Sequence, residues 1–189
     1  MIRLAVVGDI GSGKSYVAKQ FGYPVFNADA EVAKLYRKSR KCYSKLKKSL
    51  PNYITSFPVK KSELFEAIMG GENNLNKIVK IVHPEVQFRM NNFIKKNRKK
   101  KIIVLDIPLL MENKINKKND ILIFIDAKKK EIDKRLKKKP NFNTRILKKF
   151  KELQLPIEFK KRQSNFVIKN NFKNNSIKEN VKKVLEKIL

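Results

Sequence analysis

The chain has 189 residues, with 46 Lys or Arg against 17 Asp or Glu and a net charge of +29. That length supports one domain with a sub-domain folded into it and a sizeable core. One cysteine and one histidine exclude an internal disulfide framework, a cysteine-cluster metal site and a structural zinc site.

The first predicted element is an apolar strand over 2–7, which ends at Gly8. A helix follows over 14–21, broken by Gly22 and Pro24, and then a short strand over 24–26. Asp29 stands where this strand gives way to a helix over 30–38. Residues 41–101 read as helices only, over 42–50, 60–69, 73–82 and 84–97, with Pro84 opening the last of them. Apolar strands return over 102–105 and 121–125, each followed by an aspartate, Asp106 and Asp126. A lysine-rich helix over 128–138, a polar break at 141–143, helices over 144–153 and 157–163, a strand over 166–168 and a terminal helix over 177–188 complete the chain. The alternation predicts an α/β fold: a parallel sheet of about five strands flanked by helices, with a helical insertion. The apolar runs are too short to cross a bilayer, and Gly8 and Asp9 interrupt the first one. A cytoplasmic protein is therefore expected.

Of the cations, 38 are lysine and 8 arginine, in a chain also rich in asparagine and isoleucine. The charge therefore reads as compositional bias on a solvated surface as readily as the footprint of a polyanion partner.

The strongest chemical signal runs from Gly8 to Ser15, Gly-Asp-Ile-Gly-Ser-Gly-Lys-Ser. It fits the Walker A pattern, and it sits between a predicted strand and a predicted helix as that pattern requires. Gly8, Gly11 and Gly13 let the backbone turn tightly with its N–H groups aimed at an anion, beside Ser12. The helix dipole adds to this field, Lys14 is placed to reach the β- and γ-phosphates, and the Ser15 hydroxyl to bind Mg²⁺. Nucleoside triphosphate binding follows, with ATP and Mg²⁺ expected. Tyr16 completes the motif's helical end.

Two acids at strand ends are candidates to complete this site, because all carboxyl ends of a parallel sheet face one way. Asp29 is one. Asp106, ending an apolar run as a Walker B acid does, is the other and the candidate metal ligand; helix capping is the alternative for both. Asp126 is expected to cap the helix after it. The cationic segment 134–140, with a hinge at Pro140 and the following asparagines, reads as a mobile lid or as a solvated helix face.

Six stretches, in order along most of the chain, resemble the dephospho-coenzyme A kinase family. They are Ile10–Ser15, Val25–Asp29, Val82–Val86, Asp106–Glu112, Gln154–Lys160 and Val167–Asn170. The resemblance implies a P-loop kinase fold with three parts. The nucleotide-binding core takes 1–40, 102–136 and 164–189; the helical coenzyme A sub-domain takes 41–101; and the lid takes 137–163. It implies transfer of phosphate from ATP to the ribose 3′-hydroxyl of dephospho-coenzyme A, the last step of coenzyme A biosynthesis. On the same basis Asp29 orients and deprotonates that hydroxyl, while His83, Pro108, Leu109 and Glu112 line the acceptor side. His83 also admits a plain capping or packing role. Arg135, Lys139 and Arg145 are the lid cations.

The chain departs from the family pattern in several places. Asn27 stands where the first acid of the turn before Asp29 is usual, and Tyr16 where threonine is usual after Ser15. Lys139-Pro140 stands where an arginine–aspartate pair is usual in the lid. Lysine lacks arginine's two-pronged grip on phosphate. Two other functions remain open on sequence alone. A nucleoside monophosphate kinase would share the core but normally needs more arginines than these eight. A nucleotide-switched nucleic-acid-binding protein would explain the charge, but no recognisable motif supports it. No membrane partner and a monomer are expected.

Overall fold

The computed structural model describes residues 1–138 and 142–189. Lys139 and Pro140, named above for the lid and its hinge, lie outside the described residues. In chain order the elements are β1 (Ile2–Gly8), α1 (Lys14–Gln20), β2 (Val25–Asn27), α2 (Ala28–Lys38), α3 (Arg40–Ser49), α4 (Lys61–Met69), α5 (Asn74–Lys96), β3 (Ile102–Asp106), β4 (Ile121–Asp126), α6 (Lys129–Lys137), α7 (Thr144–Glu152), α8 (Ile157–Arg162), β5 (Phe166–Lys169) and α9 (Asn174–Ile188).

Among the described residues five strands form one sheet in the order β2-β3-β1-β4-β5, every pairing parallel. The expected α/β class and strand count both hold. The registers align the carboxyl ends: Asn27 opposite Asp106, Asp106 opposite Val6, Gly8 opposite Ile125, and Asp126 opposite Lys169. The strands are continuously apolar because both faces are covered. Leu4, Val6, Ile102, Val104, Ile123 and Ile125 pack on one face with Val17 of α1 and Val181 of α9. The alternating Ala5, Val7, Ile103 and Leu105 point the other way and are buried too.

The chain divides into two compact units, residues 1–27 with 97–189, and residues 28–96. The first holds the sheet. The second is helical, with α2, α3 and α4 each packed on α5. Its start at Ala28, rather than 41, follows from α2, which packs against α3 and α5. Within this unit Glu31 receives Arg89 at 2.9 Å and Lys34 at 2.5 Å. Burial would raise the Glu31 carboxyl, but these two cations outweigh it and lower its pKa. Cys42 is buried, and burial pushes its thiol up, away from the reactive thiolate form.

Three local expectations are corrected. The helices expected over 73–82 and 84–97 are one helix, α5, with Pro84 inside it. Buried Leu75, Ile78, Val82, Val86 and Met90 form an unbroken i, i+3/i+4 stripe through the proline. A continuous buried stripe outweighs the one backbone hydrogen bond that proline forfeits. Asp126 does not cap α6, whose N-cap is Lys128 with no side-chain cap bond. The Asp126 carboxylate accepts instead from Lys161 Nζ at 3.0 Å and holds that ammonium above its ordinary pKa. α2 begins at Ala28, so Asp29 lies in its first turn rather than before it.

Candidate nucleotide and phosphoryl-transfer site

β1 delivers Gly8 to the carboxyl edge of the sheet, and the chain then wraps through residues 9–13 into α1. Gly8 and Gly13 have φ of 145° and 91°, values that side chains rarely allow. A Cβ on Gly8 would sit 2.8 Å from the Ile125 carbonyl oxygen; one on Gly13 would collide with the Asn170 side-chain amide. Asn170 is buried and ties β5 to the cradle: its Nδ2 donates to the Ser12 carbonyl at 2.7 Å. Its Oδ1 accepts from the Phe172 N–H at 2.8 Å. Phe172, itself at φ 62°, lies beneath the Arg135 guanidinium at 4.3 Å.

Inside the loop, Lys14 Nζ donates to the carbonyls of Gly8 and Asp9 at 3.2 and 2.8 Å. The ammonium therefore lies over the cradle. Asp9 Oδ1 accepts from the Ile10 N–H at 2.6 Å, so the carboxylate turns back on its own loop. Ser12 is fully buried, and its hydroxyl has no hydrogen-bond partner among the described residues. Tyr16 is exposed, and its hydroxyl donates to Asn174 Oδ1 at 2.7 Å at the start of α9.

The predicted metal ligands meet at one side chain. Asn27 Nδ2 donates to Asp106 Oδ2 and to Ser15 Oγ, the latter at 3.4 Å. Asp106 is 3% exposed, at the end of β3 beside β1. A hydroxyl and a carboxylate are the hard oxygen donors that suit Mg²⁺, which usually takes one or two protein ligands and completes its shell from phosphates and water. Among the described residues no group of three or more His, Cys, Asp or Glu is placed to hold a metal ion.

On the loop after β3, Pro108 is exposed and Leu109 has φ 56°. Glu112, expected on the acceptor side, is engaged from below. Its Oε1 accepts from the Leu155 N–H and from Lys160 Nζ, each at 3.1 Å. Arg145 is exposed near the start of α7. In the helical unit Asp29 is exposed in the first turn of α2, and His83 is half-buried inside α5, not at a cap.

Sequence reasoning missed the bridging role of Asn27, the brace formed by Asn170 and Phe172, and the burial of Lys160. Asn27 meets Asp106 because it ends β2 in register with it, a pairing that nothing local in the sequence marks.

Comparison with known proteins agrees with this geometry. The family model described as dephospho-CoA kinase matches residues 2–178. A dephospho-CoA kinase of Wolbachia sp. subsp. Brugia malayi is 30% identical over 190 residues, covering 98% of this chain and 97% of the relative. One from Bartonella quintana is 33% identical over 170 residues, 87% of each chain. A crystal structure from Thermus thermophilus superposes with a TM-score of 0.78 at 24% identity, over 100% of this chain and 97% of that one, which speaks for the fold. The family match sets aside the two other functions left open by the sequence.

Proposed function

The chain belongs to the dephospho-CoA kinase family, and on that premise we propose how its residues divide the transfer of phosphate from ATP to dephospho-coenzyme A. The carrying observation is the meeting of the glycine cradle with Asp106 through Asn27. In this reading the backbone of residues 8–13 receives the β- and γ-phosphates, and Lys14 leaves its two loop carbonyls to pair with them. The buried Ser12 hydroxyl, without a hydrogen-bond partner among the described residues, fits a loop built around a ligand. Arg135 and Arg145 serve as lid cations, and Lys139 joins them.

Ser15 and Asp106 would hold Mg²⁺, which neutralises charge developing on the transferred phosphoryl group. Asp29 takes the acceptor's 3′-hydroxyl as hydrogen-bond partner and accepts its proton as the new P–O bond forms and the bond from the γ-phosphorus to the ADP oxygen breaks, ADP leaving. Because phosphoryl transfer is loose, alignment of this hydroxyl matters more than its activation. His83, Pro108 and Leu109 line the acceptor side. Glu112, held by Lys160 and Leu155, shapes that loop. No helix among the described residues is long and apolar enough to cross a membrane. A cytoplasmic monomer with these two small-molecule partners, and none among nucleic acids, is the proposed state.

The test is ADP release by the purified protein with MgATP, alone and with dephospho-coenzyme A, alongside nucleoside monophosphates. Stimulation by dephospho-coenzyme A, with the product carrying a 3′-phosphate, is expected. Stimulation by a nucleoside monophosphate instead would overturn the acceptor.

A further inference from the structure

The amide of Asn27 occupies the place between Ser15 Oγ and Asp106 Oδ2. One –NH₂ carries two hydrogens, and here each has an oxygen to meet. The same two oxygens are the proposed metal ligands. Asn27 is the last residue of β2, opposite Asp106 in register, so the sheet itself fixes this contact. Asp106 is nearly buried, where a lone carboxylate is costly without a donor.

We propose that Asn27 is a positioning residue that stands in for the divalent cation in the nucleotide-free protein, so that the metal enters this site only together with the nucleotide. The inference rests on the functional reading above and deepens it. The amide's two hydrogens hold the hydroxyl and the carboxylate at their working separation without metal. They also supply no negative charge, so Asp106 faces an uncharged partner across the sheet edge. A single carboxylate and a hydroxyl, both engaged by an amide, bind a free divalent ion weakly, because affinity for hard cations rises with the number of charged ligands. The nucleotide's phosphates supply the missing charge. A carboxylate at position 27 would reverse this. Two acids would face each other at hydrogen-bonding distance, repel without metal, and bind a cation tightly.

The experiment uses Mn²⁺ as probe, followed by electron paramagnetic resonance, on full-length wild type, Asn27→Asp and Asn27→Ala. Thermal unfolding is recorded with and without millimolar Mn²⁺. Wild type is expected to bind Mn²⁺ only when a non-hydrolysable ATP analogue is present, and its melting temperature to ignore Mn²⁺ alone. Asn27→Asp is expected to bind Mn²⁺ without nucleotide at least about tenfold more tightly than wild type, and to melt lower until Mn²⁺ restores it. Asn27→Ala is expected to melt lower with no recovery by metal, and to need more MgATP for half-saturation. A merely structural asparagine would leave the MgATP dependence of Asn27→Ala unchanged. Tight Mn²⁺ binding by nucleotide-free wild type overturns the proposal, whether or not the aspartate variant folds. So does an Asn27→Ala protein whose melting and MgATP dependence match wild type. Neither readout involves the acceptor, so a wrong acceptor assignment would show separately in the ADP-release assay.

Discussion

Lys160 Nζ lies 3.1 Å from Glu112 Oε1 with the two side chains only 3% and 10% exposed, 48 residues apart in sequence. The same oxygen accepts the Leu155 N–H, so one carboxylate ties the loop after β3 to the approach into α8. Lys160 also accepts from Ser164 Oγ at its carbonyl, at 2.8 Å, which fixes the far end of that helix. The loop 107–112 is thus tied to the start of α8 through Glu112 Oε1.

Breaking a buried pair leaves one charge stranded, which costs about 3–5 kcal/mol. Glu112→Ala and Lys160→Ala are each expected to lower stability by about that much in urea unfolding. The double variant is expected to cost less than the sum, with a coupling of about 1–3 kcal/mol. Additive losses would show that the two groups act independently.

The sheet and the cradle were readable in sequence because their signals are local. A fully covered parallel strand is an apolar run, and the glycine-lysine-serine motif is contiguous from Gly8 to Ser15. What escaped depends on partners brought together by topology. Asn27 and Asp106 are 79 residues apart, and Asn170 and Ser12 are 158 apart. Nothing local to Asn27 distinguishes a lost acid from a bridging amide. Pro84 misled for a related reason: its local rule marks a helix start, while the decisive fact is the buried stripe from Leu75 to Met90. Asp126 likewise had a local reading as a cap, and its carboxylate went instead to Lys161, 35 residues on.

The proposed division of labour separates two active-site variants. Asp29→Asn removes the proton acceptor and leaves the nucleotide cradle intact. It is expected to lower kcat about 10²–10⁴-fold while nucleotide binding by calorimetry stays near wild type. Lys14→Met removes the charge that lies over the cradle. It is expected to lower kcat about 10²–10³-fold and to weaken nucleotide binding as well. Equal loss of binding in both variants would mean that Asp29 belongs to the donor side.

Gly13 tests the cradle's geometry. At φ 91°, a side chain is strained by about 1–3 kcal/mol. Its Cβ would also displace Asn170, which is pinned at both ends by Ser12 and Phe172. Gly13→Ala is therefore expected to lose at least about tenfold in nucleotide affinity, equivalent to about 1.4 kcal/mol. Asn170→Ala relieves the collision but not the strain. Combined with Gly13→Ala it is expected to recover only part of the binding. Full recovery would place the whole effect in the collision.

In the helical unit, Glu63 governs acid stability. Burial raises its carboxyl, but the Lys60 N–H, the Thr55 hydroxyl and N–H, and the Ser56 N–H all donate to it, and the balance lowers its pKa to about 2. In the unfolded chain it reverts to an ordinary value near 4.5. A depressed folded-state pKa stabilises most where both states are ionised, so the contribution is fully present above 4.5 and is lost as the pH falls through about 2. A displacement of this size corresponds to about 3 kcal/mol at neutral pH. Glu63→Ala is expected to unfold more easily than wild type at pH 7, by that order. Because a protonated Glu63 gives up this contribution, the gap between variant and wild type is expected to narrow steadily as the pH is taken below 4.5. Urea unfolding across that range checks the slope. A gap that stays constant with pH would assign the loss to packing of the Glu63 side chain rather than to the hydrogen-bonded charge.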